Sequence, residues 1–178
     1  IKVGVLYKPA SVTPAGNTAV LNTGAFGQYA LTDGSTQQRN RPALAQSFQH
    51  NASGERFTLV VNHLKSKGSA CTDQVSPIGP DPDTGDGQGN CNLTRTAAAQ
   101  ELVNWLAADP TGVADPDVLI MGDLNAYAKE DPVTAIRNAG YTNLIETRLG
   151  ADAYSFAFDG TWGYLDHALA SASFAPQV

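Results

Sequence analysis

The sequence predicts a single mixed α/β domain, on the basis of its length, its composition and the order of its apolar segments. The chain has 178 residues, of which 42% are hydrophobic and 16% charged, the size and balance of one globular domain. Strand-like runs come first, then a helical pattern near residue 100, a fully apolar run near residue 120, and further helices and strands. This order indicates a layered α/β fold. The longest apolar runs are too short to cross a bilayer, so no membrane segment is predicted.

The first 63 residues are predicted to be mainly strands. Residues 2–8 and 18–26 are rich in β-branched side chains, whereas residues 33–40 have the composition of a turn and a polar linker. Residues 43–49 and 56–63 flank a turn of small polar residues and therefore predict a β-hairpin.

The remaining residues alternate helices with strands. Residues 93–107 show helical spacing with Asn92 or Thr94 as the N-cap, and residues 117–121 form a continuous apolar run, as in a strand buried on both faces. A short helix is expected from Asp131 to Gly140 and another over 143–149. The last predicted strands are residues 154–158 and 164–170.

The charge is unevenly distributed along the chain. The net charge is −6, which argues against nucleic-acid binding by bulk counterion release. Residues 1–70 nevertheless carry seven basic and two acidic side chains, and residues 71–178 carry four basic and fifteen acidic ones. The first part could face a phosphate and the second could hold a divalent metal; two solvated faces explain the same pattern.

Cys71 and Cys91 flank a polar loop rich in Asp, Gly and Pro. Two cysteines are compatible with two free thiols or with one disulfide. We favour the disulfide, because this loop has no core of its own, and with it an extracellular location. Residues 81–90 partly match a calcium-binding loop, but glycines occupy ligand positions, so an ordinary polar loop is favoured over a Ca²⁺ site.

Two segments that follow strands carry candidate catalytic residues. Asp123 and Asn125 come directly after the apolar run, where ligands bind in α/β folds; the alternative is a turn capped by Asp123. His63 ends the strand at 56–63 and is followed by Lys65 and Lys67, a combination suited to a phosphodiester. A surface histidine at the start of a loop is the alternative.

Asp166 is an acid within an apolar strand pattern, so we expect it to be paired, metal-bound or catalytic. A structural salt bridge, with Arg41 as its partner, is the alternative. His167 is predicted to lie on the opposite face of the same strand. Arg41 is suited to clamp a phosphate, although such arginines are often simply solvated.

Together these segments resemble the endonuclease/exonuclease/phosphatase superfamily, and within it secreted bacterial extracellular nucleases. The resemblance is carried by VGVLYKP at 3–9, NRPALAQSF at 40–48, VVNHLKSKGSAC at 60–71, DTGDGQGNCNLTRTAAAQELVNWL at 83–106, DVLIMGDLNAYAKEDP at 117–132 and GYLDHALAS at 163–171. The combination of NHLKSKG, GDLNAY and GYLDHAL is far more specific than any one of them.

The resemblance implies a four-layer α/β/β/α sandwich of the deoxyribonuclease-like type and metal-dependent hydrolysis of DNA, with RNA as the alternative. His63 would contact the scissile phosphate, Asp123 would hold the attacking water and the metal, Asn125 would assist it, and Asp166 would be a supporting acid. Arg41 would bind substrate phosphate, and the basic Lys65 is expected to do the same. The expected cofactor is Mg²⁺, with Ca²⁺ as the alternative, and the expected partner is nucleic acid.

The sequence departs from the family pattern in two places. No acidic residue precedes Asp33 to supply the family's early metal-binding Glu, and no Ser-Asp-His motif follows Asp166. We therefore expect residues 1–178 to be one partial domain that lacks its first and last strands, is inactive alone and associates with the remaining fragments of that domain. A phospholipid or small-ester phosphoesterase and a non-catalytic fragment are the alternative functions.

Overall fold

A computed structural model describes residues 2–158 and 160–178. In chain order its elements are β1 (Val12–Leu21), β2 (Gln28–Leu31), β3 (Thr36–Gln38), β4 (Ala43–His50), β5 (Arg56–His63), β6 (Gln74–Ser76), α1 (Asn92–Ala107), β7 (Val118–Asp123), α2 (Asp131–Asn138), β8 (Thr142–Asn143), α3 (Leu144–Leu149), β9 (Phe156–Phe158), β10 (Thr161–Gly163) and β11 (Asp166–Ala170). Short 3-10 turns cover Gly24–Phe26, Gly150–Asp152 and Ala175–Gln177.

A six-stranded sheet in the order β1-β4-β5-β7-β11-β8 organises the molecule. Neighbouring strands are antiparallel except β5 and β7, which are parallel and therefore end at the same edge. β2, β3 and β6 form a small second sheet, and β9 pairs with β10. The predicted mixed α/β class and the hairpin of β4 with β5 are confirmed.

The core lies between one face of the six-stranded sheet and the helices α1 and α2. One row of paired, fully buried side chains crosses four strands: Ala45, Val60, Ile120 and Leu169. Buried residues of both helices, such as Leu102 and Ile136, belong to the same apolar cluster. Burial of this face is the main stabilising contribution of the sheet.

The opposite face of the sheet is apolar but only partly buried. Its central row runs through Val20, Leu44, Val61, Met121 and Ala168, which are paired across five strands. Val20 is 52% and Met121 39% exposed. The candidate catalytic residues stand on this face, at the end of the same strands.

Helix α1 begins at a cap that is distant in sequence. Cys91 precedes it in a left-handed conformation, and the carboxylate of Asp81 accepts hydrogen bonds from the backbone N–H groups of Leu93 and Thr94. The prediction of Asn92 or Thr94 as N-cap is therefore wrong. Because Asp81 uses its carboxylate oxygens on the helix, it holds this loop against α1.

The predicted disulfide between Cys71 and Cys91 is present, with a Cα–Cα distance of 5.4 Å. Both half-cystines are fully buried. The disulfide closes the loop between residues 71 and 91, and Asp81, in the middle of that loop, is hydrogen-bonded to the start of α1. The loop is therefore attached to α1 at two points.

Three predicted segments differ from the structure. Residues 2–7 form no strand, and Leu6 is wholly exposed. The second predicted strand lies earlier, at β1, where Pro14 is tolerated because β1 is at the edge of the sheet. Residues 33–40 contain β3 rather than only a turn. No helix within the described part of the chain has the length and apolarity needed to cross a membrane.

Candidate active site

Three predicted site residues meet at one edge of the six-stranded sheet. His63 is the last residue of β5, Asp123 the last of β7 and Asp166 the first of β11. Asp123 is paired with His63 on one side and with Asp166 on the other. Since neighbouring strands lie about 4.8 Å apart, the three side chains form one row on the partly open face.

Gly122 makes this row possible. It lies immediately before Asp123 with φ of +123°, a conformation that side-chain-bearing residues rarely adopt. A Cβ atom at this position would lie 2.1 Å from the backbone oxygen of Asn62. The end of β7 can therefore approach β5 closely only because residue 122 is glycine.

The carboxylate of Asp123 is oriented from two sides. Its Oδ1 accepts a hydrogen bond of 2.8 Å from the backbone N–H of Asn125, and its Oδ2 lies 3.5 Å from Nε2 of His63. Both side chains keep 31% of their surface exposed. The Asp123–His63 pair is thus accessible to a ligand, and the separation exceeds that of a direct hydrogen bond.

The imidazole of His63 is held in its neutral form near pH 7. Partial burial, followed by the positive charge of Arg41, lowers its pKa, and the carboxylates of Asp123 and Asp166 only partly oppose this effect. A neutral imidazole has one N–H donor and one acceptor nitrogen. His63 can therefore donate a hydrogen bond to a phosphate oxygen or accept a proton.

Asn125 connects the ends of the two central strands. Its backbone has φ of +48°, and its buried Nδ2 donates a hydrogen bond of 3.0 Å to the carbonyl oxygen of Leu64. Among residues 2–158 and 160–178, its Oδ1 accepts no hydrogen bond. That oxygen is therefore available to a ligand beside Asp123.

Arg41 lies beside His63 and is fixed at two points. Its backbone N–H donates to the carbonyl oxygen of His63, and its Nη1 donates a hydrogen bond of 3.0 Å to that of Leu64. No salt bridge joins Arg41 to Asp166 among the described residues. The guanidinium therefore retains donors that can bind an anion.

Lys65 is more buried than the sequence suggested, with 7% of its surface exposed. Its ammonium donates to the carbonyl oxygens of Ser66 and Ser69 and to the Ser69 hydroxyl. Burial, with Arg39 next, lowers its pKa to about 8. Lys65 lines a cavity of about 330 Å³ together with Arg39 and Arg41, and its contact with a substrate phosphate stays a prediction.

Asp166 is exposed rather than buried in the strand, so the argument from burial cost does not apply to it. His167 lies on the opposite face and is 2% exposed, as predicted. Its Nε2 is 2.8 Å from the carbonyl oxygen of Ala126 and must carry the proton, because a carbonyl can only accept. His167 thus supports the segment after Asp123 from below.

The donor set can hold a divalent ion only together with other ligands. No three His, Cys, Asp or Glu side chains within the described ranges are grouped as a metal site. Asp123 and Asp166 still present two carboxylates from neighbouring strands. One or two carboxylates are enough for an ion that keeps several waters and shares substrate phosphates.

The sequence analysis missed Arg95, which supports the site from helix α1. This arginine is fully buried and donates to the carbonyl oxygens of Lys65, Asn90 and Gln88. It therefore joins the segment after His63 to the disulfide-closed loop. The signal was available, because Arg95 lies on the same helical face as Ala98 and Leu102.

Comparisons with known proteins address the fold. No family model and no curated protein matches the sequence. Among solved structures, an endonuclease/exonuclease/phosphatase family protein from Bacteroides thetaiotaomicron is 14% identical with a TM-score of 0.55, over 94% of this chain and 53% of that chain. The mannosyl-6-phosphatase of the same organism is 13% identical with a TM-score of 0.57, over 94% of this chain and 55% of that chain.

A third match is D. rerio TDP2 complexed with a single-strand DNA product. It is 14% identical with a TM-score of 0.54, over 93% of this chain and 56% of that chain. The chain thus spans about half the length of each of these proteins. The resemblance predicted from the sequence motifs is confirmed at the level of architecture: the chain has the fold of the endonuclease/exonuclease/phosphatase superfamily.

Proposed function

We propose that the chain carries the catalytic residues of a metal-dependent phosphodiesterase that hydrolyses nucleic acid, DNA or alternatively RNA, outside the cell. The observation that carries the proposal is the row of His63, Asp123 and Asp166 on three adjacent strands. A neutral imidazole between a guanidinium and a carboxylate suits a reaction in which negative charge develops on phosphate oxygens.

Asp123 is the group proposed to activate water. Its Oδ1 is occupied by the N–H of Asn125, which leaves Oδ2 facing His63 and solvent. A water hydrogen-bonded to Oδ2 would lose its proton to the carboxylate as its oxygen bonds to phosphorus. The bond from phosphorus to the leaving ester oxygen would break in the same reaction, and that oxygen would take a proton from solvent. Oδ1 of Asn125, which accepts no hydrogen bond among the described residues, would orient the same water.

His63 and Arg41 are the proposed phosphate contacts. The neutral imidazole would donate one hydrogen bond to a non-bridging oxygen, and the guanidinium would donate from the side opposite Leu64. Fixed donors of this kind stabilise the transition state more than the ground state when they are aimed at developing charge. Asp166 would orient the ion or the water from the neighbouring strand.

A divalent ion would be held by Asp123 and Asp166, completed by water and the substrate phosphate. It would supply positive charge at the oxygens where negative charge develops. Mg²⁺ fits this arrangement better than Ca²⁺, because Ca²⁺ takes about six to eight oxygen ligands.

Hydrolysis of a small phosphate ester is the alternative function, and the likeness to a mannosyl-6-phosphatase supports it at the level of fold. Two observations favour nucleic acid. The strand ends that supply His63 and Arg41 belong to the basic part of the sequence. A cavity lined by Arg39, Arg41 and Lys65 adjoins the site. Arg39 is ion-paired with Asp73, so Arg41 and Lys65 are the cations that would attract a neighbouring phosphate.

The test compares wild type and Asp123→Asn in the 178-residue chain and in the product of its complete gene. Each is assayed with single-stranded DNA, RNA, sphingomyelin and a sugar phosphate in millimolar Mg²⁺. Hydrolysis of nucleic acid that is lost in Asp123→Asn and in EDTA supports the proposal. Hydrolysis of only the sugar phosphate or only sphingomyelin supports the alternative. Absence of hydrolysis, together with equal metal binding by wild type and Asp123→Asn, indicates a non-catalytic fragment.

A further inference from the structure

The hairpin of β9 and β10 exposes an unusual number of aromatic rings. Trp162 is 70%, Phe158 69%, Tyr154 63% and Phe156 41% exposed. Large apolar side chains grouped on a surface generally mark an interaction site. Nothing in the proposed hydrolysis requires these four rings.

The rings lie on both faces of the hairpin. Phe156 and Phe158 share one face, with centroids 6.4 Å apart and planes only 10° from parallel. Trp162 is paired with Ala157 and therefore points to the other face, where it contacts Tyr154 at 5.2 Å. Flat ring faces are thus available on each side.

The hairpin leads directly into the candidate active site. Only Tyr164 and Leu165 separate the end of β10 from Asp166, so Gly163 lies within about 11 Å of Asp166 along the chain. The backbone of Leu165 accepts a hydrogen bond of 2.9 Å from Leu124, next to Asp123. A substrate bound at Asp123 can therefore extend onto the hairpin.

One side of the hairpin forms a groove rather than a projection. Phe158, Tyr127 and Lys67 line a cavity of about 530 Å³ together with glycines of the disulfide-closed loop. The ammonium of Lys67 lies 4.8 Å from the centre of the Tyr127 ring. Lys67 is ion-paired with Glu130, and Asp83 lines the same cavity. Within the described part of the chain, the groove therefore offers aromatic surface to a base and no unpaired cation to a phosphate.

We propose that this aromatic hairpin is a stacking platform for the unpaired bases of a single-stranded nucleic acid whose scissile phosphate lies at Asp123. The inference rests on the proposed function and names its substrate class. Stacking on aromatic side chains tolerates any base and strengthens single-strand binding by about 5- to 150-fold per base. A duplex hides these faces, so single strands bind more tightly than duplexes.

The concave groove favours nucleic acid over a lipid surface. An interfacial anchor needs rings that project outward, often with basic side chains around them. Residues 149–178 contain no Lys or Arg. Lys67 lines a cavity with Phe158, and Lys129 lines one with Trp162, but each lysine shares its cavity with an acidic residue, Asp83 or Glu146. A membrane is therefore treated as an outcome that would overturn the proposal.

Binding is measured in EDTA, so that hydrolysis plays no part. A fluorescein-labelled 12-nucleotide single strand, the same strand with abasic sugars and the matching duplex are titrated with the 178-residue chain by anisotropy. We expect Phe158→Ala and Trp162→Ala each to weaken single-strand binding at least fivefold and to leave abasic binding unchanged. Tyr7→Ala, an exposed ring outside the hairpin, should match wild type.

Direct stacking is measured by the fluorescence of Trp162 in a Trp105→Phe variant, in which Trp162 is the single tryptophan. The anisotropy titrations do not use that variant. The single strand should quench Trp162, and the abasic strand should not. Four results would each overturn the platform. Two concern affinity: equal affinities for normal and abasic strands, or unchanged single-strand affinity in both hairpin variants. The other two are a fluorescence response of Trp162 only to phosphatidylcholine vesicles, and a dimer that Trp162→Ala dissociates. Loss of the platform with retained DNA hydrolysis would leave the proposed function intact, whereas hydrolysis of only small esters would refute both.

Discussion

Arg41 and Asn125 donate to the same acceptor, the carbonyl oxygen of Leu64, each at 3.0 Å. Leu64 directly follows His63, and its own N–H donates to the carbonyl oxygen of Asp123 at 2.9 Å. One backbone unit therefore fixes the proposed phosphate clamp relative to both proposed catalytic side chains. Its own side chain is fully buried in the apolar core, which makes the unit a rigid reference point for the site.

Arg41→Lys should reduce kcat/KM while the fold is retained. Lysine keeps the charge, but its single ammonium cannot bind the Leu64 carbonyl and a phosphate with the fixed geometry of a guanidinium. Loss of one charge-assisted hydrogen bond predicts a fall of about 10- to 100-fold. Steady-state kinetics check this, with Arg56→Lys as the matched control; equal rates would contradict the clamp.

His63→Ala and Asp123→Asn should each reduce phosphodiester hydrolysis by about 10²- to 10⁴-fold in the active form of the protein. Both side chains are partly exposed, so their circular dichroism spectra and melting temperatures should stay close to those of wild type. His50→Ala and Asp33→Asn, which alter exposed residues away from the site, are the matched controls. Near-normal rates in both site variants would remove the mechanism.

Gly122→Ala should destabilise the protein by about 2–4 kcal/mol. The new Cβ would approach the Asn62 oxygen to 2.1 Å, and the backbone would keep an unfavourable positive φ. Gly34→Ala is the control, since Gly34 also has positive φ but has no atom within 4 Å of the added Cβ. Urea denaturation should show a clearly larger loss of unfolding free energy in Gly122→Ala than in Gly34→Ala. Equal losses would mean that β7 can move away from β5 without an energetic cost.

Replacing Cys71 and Cys91 by serine should lower stability by about 3 kcal/mol, the value for closing a loop of this length in the chain-entropy model. The effect should concentrate in the loop and the start of α1, because hydrogen bonds such as those of Asp81 and Arg95 then hold these segments without a covalent link. Hydrogen exchange of the wild type and the variant measures this distribution. The intact mass of the wild type should rise by two hydrogens on reduction, and thiols that react before reduction would refute the disulfide.

Lys65 should titrate near pH 8, far below an ordinary lysine. The unfolded chain keeps this proton up to about pH 10.4, so between these values the unfolded state binds more protons. Stability attributable to Lys65 therefore rises with pH from about 8 to 10.4 and is lost as the pH falls through that window. A ¹³Cε NMR titration measures the pKa of Lys65. The rise of the urea midpoint with pH over this window should be absent in Lys65→Gln. A midpoint above pH 10 would contradict the effect of burial.

The sequence by itself determined the fold class, the β4–β5 hairpin, the central strand β7 and most residues of the candidate site. These features depend on local patterns: strand periodicity, an apolar run bounded by Pro116 and Gly122, and polar residues directly after strands. The composition of residues 72–90 also predicted the disulfide, because a loop rich in Asp, Gly and Pro cannot form a hydrophobic core of its own.

Only the tertiary structure decided how those residues are used. Residues 2–8 have a strand-like composition and yet form no strand, because a strand needs a hydrogen-bonding partner that composition does not supply. Strand order and register placed His63 and Asp166 on either side of Asp123, although the two residues are 103 positions apart in the chain. Long-range contacts likewise made Asp81 the cap of α1 and buried Lys65, because burial and capping depend on neighbours that are distant in sequence.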